Sequence, residues 1–203
     1  MTKIPAKALM DKIKEVEDFA RQRFEKAGMA WFIGSHLEYV ERLALRLAEI
    51  KGANKDVLRL SAWLHDISHE NTSVKEDHHV QNSRFAVKFL RERGFEEGII
   101  SAVEHCILTH RCRDEHMPQT LEAKIFASAD AMSHIENFSV LLFAAFVLKK
   151  YGLETAYNWL SRKIDRDWNR KILIPEGKEM VREKYEEALV MLEKMKMEIG
   201  RNS

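Results

Sequence analysis

Apolar residues recur at helical spacing along almost the whole chain, and strand-type alternation is nearly absent. A chain patterned this way has to bury helix stripes against one another, so the fold class expected is all-α, a helical bundle. Glycine and proline number only 8 and 3, and they mostly punctuate. A first helix follows Pro5 and runs to about Lys26. A second starts after Gly34-Ser35, with Ser35 as its N-cap, and ends near Gly52. A third runs from Asn54 or Lys55 to about Asp66. After the polar connection "SHENTSVKEDHH", a fourth runs from about His79 to Arg93 and stops at Gly94. A fifth covers about Glu96 to His110. The polar loop "RCRDEHMPQT" then leads through Thr120, as a cap, into a long helix from Leu121 that breaks near Asn137. Helix resumes from Leu153 to about Trp168, and a charged final helix runs from Gly177 to about Ile199. There is no internal repeat, low-complexity run or clear linker, so residues 1–203 are expected to form a single domain.

Charge and cysteine usage exclude several functions. The formal net charge is +1, which gives no bulk attraction to duplex nucleic acid or to an anionic membrane. Cys106 and Cys112 form no CxxC pair, so neither a disulfide framework nor a thiolate zinc site is expected. The N-terminus has no apolar core of a signal peptide. The longest apolar run, "SVLLFAAFVL" from Ser139 to Leu148, is too short to span a bilayer and reads as a buried helix segment. A cytoplasmic location without a membrane partner is the expectation. In the last helix, Met180, Met191 and Met195 form a stripe that suits either core packing or a homodimer surface.

The polar residues break the bland pattern. The stretch "WLHDISHE", Trp63 to Glu70, sets His65 and Asp66 at the end of an apolar helix. Burying charge there costs several kcal/mol unless it is paired or bound to metal. His36 opens the second helix, His78 and His79 the fourth, and His105 and His110 lie on or at the end of the fifth. Asp130 stands mid-helix in "AKIFASADAMSHIENF", with His134 four residues on as an i,i+4 partner. His116 lies in a polar loop and reads as solvated. Helical bundles build metal sites from such groups on facing helices. Imidazole and carboxylate without thiolate suit Mn, Fe, Co, Ni or Zn in an open site, where a bound water becomes a nucleophile near neutral pH.

The order His36, His65-Asp66, Asp130 resembles the HD-domain superfamily of metal-dependent phosphohydrolases. The flanks "SHLEYVERLALRLAE", "LSAWLHDISHE" and "AKIFASADAM" resemble it too. Further segments, "HHVQNSRFAVKFLRERGF" and "IISAVEHCILTHR", are similar to a bacterial and archaeal subgroup of small, mostly uncharacterised members. The resemblance implies an HD core over about 30–150 with a C-terminal helical extension over about 151–200. It implies His36, His65, Asp66 and Asp130 as ligands of one divalent metal. Binuclear relatives carry extra histidines between the pair and the last aspartate; His79 and His110 stand there, with His105 a weaker candidate, so two ions are the variant of this expectation. Where some relatives carry assisting acidic residues, this chain has His69 and Glu70.

The function expected is a phosphomonoesterase or phosphodiesterase acting on a small phosphorylated, nucleotide-type substrate. Asp66 would bind metal and orient the water. Arg111, Arg84 and Lys75 are the candidate phosphate cations, since guanidinium matches phosphate geometry, and His79 and His110 are candidate substrate contacts. The other classes are a non-catalytic metal- or nucleotide-binding regulatory module and an HD-type di-iron oxygenase.

Overall fold

A computed structural model describes residues 5–67, 78–113 and 115–201. The described residues form a helical bundle without strands. In chain order the helices are α1 (Ala6–Lys26), α2 (Ala30–Phe32), α3 (Glu38–Lys51), α4 (Lys55–Leu64), α5 (His78–Glu92) and α6 (Glu97–Thr109). They continue as α7 (Leu121–Glu136), α8 (Phe138–Phe143), α9 (Leu153–Arg166) and α10 (Pro175–Arg201). Three π-helical turns extend or join them: Ile33–Leu37, Ala144–Leu148 and Asp167–Lys171.

The punctuation works locally as the residue types require. Gly52 and Gly94 end α3 and α5 at φ of 71° and 64°, a left-handed conformation that glycine adopts without a Cβ clash. The Asn54 side chain accepts from the Asp56 and Val57 amides and starts α4. The Thr120 hydroxyl accepts from the Ala123 amide and starts α7. Ser35 does not cap a helix. The chain is already helical from Ala30, and Ser35 lies inside the first π turn. One extra residue in that turn rotates the following side chains, and His36 becomes buried.

The core is arranged around α7. Its residues 125–133 are all buried, whatever face they occupy. A helix that is apolar or small on every side is the centre of a bundle, and α3, α4, α6 and α10 pack around this one. Asp130 is therefore carried into the middle of the molecule by its own helix. Of the methionine stripe on α10, Met195 is buried and Met180 packs partly against the core, while Met191 is exposed.

The run Ser139–Leu148 is not a buried segment. It turns away from α7 at Asn137, and α8 with its π turn lies at the edge of the bundle. Leu141 and Ala145 face inward, whereas Phe143, Phe146, Val147 and Leu148 are exposed. An edge element buries only one face, however apolar its sequence. No single helix among the described residues is long and apolar enough to cross a membrane; the α7–α8 pair passes on composition but is bent by 78°.

The segment after α9 is fastened to α7 by one serine. Ser128 Oγ donates to the Lys124 carbonyl at 2.7 Å and accepts from the Leu173 and Ile174 amides at 2.9 and 3.2 Å. Next to it, Gly177 packs so closely on Met132 that an added Cβ would lie 2.8 Å from its sulfur. Ser128→Ala leaves two amides of this segment unpaired and is expected to cost about 1–3 kcal/mol in urea unfolding. An unchanged midpoint would show that Ser128 does not hold the segment.

Candidate metal centre

Two buried histidines define the site, and local hydrogen bonds decide how each presents its ring. His65 is the C-cap of α4, where helix-end carbonyls lack intrahelical partners. Its Nδ1 lies 2.9 Å from the Ala62 carbonyl, so Nδ1 carries the hydrogen and Nε2 keeps its lone pair. His36 Nδ1 lies 3.1 Å from Ser133 Oγ, whose hydroxyl donates to the Asp130 carbonyl at 2.7 Å. The serine oxygen therefore accepts from His36 Nδ1–H, and the His36 Nε2 lone pair is also left for the site.

These two Nε2 atoms face each other at 3.1 Å, in a place where both rings are buried. Two lone pairs at that separation require a positive centre between them. A proton serves poorly. Burial pushes the His36 imidazole well below its ordinary pKa, and His134 and His65 push it further. A metal ion fits.

The carboxylates complete the donor set. Asp66 Oδ2 lies 3.4 Å from His65 Nε2 and 3.9 Å from His36 Nε2. Asp130 Oδ1 lies 3.4 Å from His36 Nε2 and 3.8 Å from His65 Nε2. Around a metal with bonds of about 2.1 Å, neighbouring donors stand about 3–3.4 Å apart, a spacing close to that of each carboxylate from the nearer histidine. The structure thus gathers His36, His65 and Asp66 into one possible donor group and sets Asp130 against the same two histidines. It adds a second overlapping group, His36, Asp130 and His134.

A charged cluster from the C-terminal segment supports this centre. Lys171 Nζ holds Asp130 Oδ2 at 2.5 Å, which leaves Oδ1 to face the histidines. Lys171 also stands 3.8 Å from Asp167 Oδ1. The Asp167 carboxylate, fully buried, reaches His134 Nδ1 at 3.0 Å and Lys163 Nζ at 3.1 Å. Lys163 Nζ is itself 3.1 Å from His134 Nδ1. Nδ1 either donates to Asp167 or accepts from Lys163, and only donation frees Nε2 as a metal ligand. Burial alone would raise the Asp130 carboxyl, but Lys171, His134, His110 and His36 outweigh it and hold it well below the usual range. Burial likewise opposes ionisation of Asp167, and Lys163 and Lys171 reverse the effect.

Beside the metal centre opens a cavity of about 560 Å³. Asp66, His79, His110, Asp130 and His134 are among the residues that line it. His110 repeats the His65 arrangement. It caps α6, and its Nδ1 lies 2.6 Å from the Ile107 carbonyl. Its ring centre is 5.6 Å from that of His65 and 6.5 Å from that of His79. Neither His79 nor His110 joins a group of three or more metal donors among the described residues. Arg111 lines the cavity. Arg84 does not; it lines a separate surface groove with Lys88 and Arg91. His105 Nε2 accepts from the Gln119 amide, which occupies it in the α6–α7 connection. His116 is half-buried, with its ring 6.0 Å from that of His79. Lys75, His69 and Glu70 lie outside the described residues. Both cysteines are buried, and burial raises the Cys106 thiol to about 12, which disfavours its thiolate.

In the sequence His134 reads only as a neighbour of Asp130, and Lys163, Asp167 and Lys171 do not stand out. Their signal is weak. In "KIDRDWNRK" an i,i+4 acid and lysine look like any solvated charged face. What buries them is the π turn Asp167–Lys171, which points both Asp167 and Lys171 inward.

The fold agrees with comparisons to known proteins. The HD domain family matches residues 33–135, just over half of the chain, and its span includes all four candidate ligands. The chain belongs to the HD domain family. Two solved structures share the fold. One is a crystal structure of an HD-superfamily hydrolase from Bacillus thuringiensis, 18% identical, with a TM-score of 0.69 over 95% of this chain and 98% of that one. The other is a predicted HD-superfamily hydrolase from an uncultured Thermotogales bacterium, 22% identical, with a TM-score of 0.55 over 74% of this chain and 83% of that one.

The buried imidazoles make the metal-free protein acid-sensitive. Burial lowers His110 to about 3 and His36 well below its ordinary value. An unfolded histidine takes up its proton near pH 6.5, so below that pH the unfolded chain holds more protons than the folded one. Stability therefore falls as pH drops through that window, by about 1.4 kcal/mol per unit for each such histidine. Asp130, depressed below its unfolded value, adds to the loss only at pH below about 4. Urea unfolding of chelator-treated protein is expected to weaken steadily from about pH 7 to about pH 5, and His110→Gln to flatten the slope. Equal stability at both pH values would contradict the neutral, buried imidazoles.

Proposed function

We propose that this chain is a metal-dependent phosphohydrolase that cleaves phosphomonoester or phosphodiester bonds of small, nucleotide-type substrates. One juxtaposition carries the reading. The candidate ligands His36, His65, Asp66 and Asp130 stand beside a cavity that Arg111, Arg113 and further cations also line, and charge of that sign suits a phosphate ester.

Each residue then has a task. His36, His65, Asp66 and Asp130 would hold one divalent ion from the Mn, Fe, Co, Ni, Zn series, chosen by their nitrogen and oxygen donors. Bound there, the ion supplies a water of lowered pKa and draws charge from a phosphoryl oxygen. The Asp66 carboxylate, 24% exposed, reaches the cavity and can accept a hydrogen bond from an attacking water. Lys171 keeps Asp130 turned with one oxygen to the ion. Arg111 neutralises phosphate charge. His79 and His110 present imidazoles to the substrate, or hold a second ion; the metal count decides between these roles.

The test is phosphate release from a broad panel of nucleotides and phosphate esters, using protein stripped by chelator and reloaded with each metal. Reloading is expected to restore hydrolysis. Asp66→Ala is expected to lose metal and at least about a hundredfold in rate while its helical circular dichroism persists, since general-base and metal contributions are each of that order. An Asp66→Ala protein with full metal and full rate would overturn the reading, as would metal-loaded protein that hydrolyses nothing in the panel.

A further inference from the structure

The cations around the cavity outnumber what one reacting phosphoryl group needs, and they come from two places. Arg111 and Arg113 follow α6. Lys163, Arg166, Arg170 and Lys171 belong to α9 and the π turn behind it, beyond residues 33–135 that the family matches. Among the described residues, three carboxylates line the cavity beside these six, Asp66, Glu115 and Asp130, two of them facing the metal centre, and Asp167 behind the wall holds Lys163 and Lys171.

The four C-terminal cations divide by burial. Lys171 and Lys163 are mostly buried and held to Asp130 and Asp167, so they support the site. Arg166 and Arg170 are exposed on the cavity wall, with Arg166 Nε 3.9 Å from Asp167 Oδ1. Among the described residues the lining carries no Phe, Tyr or Trp; its rings are imidazoles and its planar cations guanidiniums. Recognition by this wall is a matter of anionic charge and guanidinium geometry.

From the cation wall we infer that Arg166 and Arg170 bind a second, non-reacting phosphate, so that the substrate is a small molecule carrying two phosphate groups. One phosphate lies at the metal centre beside Arg111, and the other lies against the α9 end of the cavity. This rests on the phosphohydrolase reading and narrows it. The specificity-determining residues then lie outside the segment the HD family shares, which lets one metal centre serve different substrates in different chains.

The experiment is calorimetric titration of the full-length, metal-loaded protein with methylenediphosphonate and with inorganic phosphate, neither of which it can hydrolyse. Metal content is measured after each titration. The wild type is expected to bind the diphosphonate at least about tenfold more tightly, the scale of one added charge-assisted contact. The Arg166→Ala/Arg170→Ala protein is expected to lose most of that preference while retaining its metal, its phosphate affinity and its circular dichroism. Arg166→Lys/Arg170→Lys is expected to recover part of it, because charge returns without the planar fork. Equal wild-type affinity for the two probes overturns the inference, and so does a double alanine variant that keeps the preference. Hydrolysis of no ester in the panel above would instead overturn the reading beneath it.

Discussion

The facing Nε2 atoms of His36 and His65 are the constraint on which the rest of the site depends. Each ring has its other nitrogen committed, one to a helix-end carbonyl and one to a serine hydroxyl. Neither can turn away without breaking a buried hydrogen bond, which costs about 1–3 kcal/mol. The core therefore holds two lone pairs 3.1 Å apart. Alone that is unfavourable; with a divalent ion between them it is a preorganised half-site. Asp66 and Asp130 then supply negative charge where the ion brings positive charge, and the cost of burying each is offset by the other.

Support for that half-site comes from far along the sequence. Asp130 would have two competing uses for its carboxylate, but Lys171 takes one oxygen. Lys171 is buried and needs charge compensation, which Asp167 shares. Asp167 in turn fixes His134 and Lys163. Two of the three π turns carry members of this assembly, His36 in the first and Asp167 and Lys171 in the third. A π turn inserts one residue into a helix and re-aims the side chains beyond it, and such turns recur at functional sites. Here they convert residues of ordinary helical spacing into inward-facing ones.

That device also explains what could and could not be read from the sequence. The helix order, the cap at Thr120, the stops at Gly52 and Gly94 and the break at Asn137 follow from local chemistry. The four candidate ligands follow from the resemblance of their motif to the HD domain. Ser35 misled because Gly-Ser is a start signal, yet the chain there is already helical and only changes its winding. The run Ser139–Leu148 misled because composition cannot say whether a neighbour covers each face. Asp167 and Lys171 carry only the weak signal of an i,i+4 pair, since only tertiary packing distinguishes a buried ion pair from a solvated one. Arg84 looked like Arg111 in sequence, but its helix turns it to another groove.

The central claim is that a metal ion lies between His36 and His65. An anomalous-difference map from a crystal of protein purified without chelator, collected on either side of the absorption edge of the metal found in it, tests this directly. The expected result is a peak within about 2.0–2.2 Å of both Nε2 atoms, with Asp66 and Asp130 completing the shell. A map with no peak there, and with one of the two rings flipped to donate to the other, would contradict it.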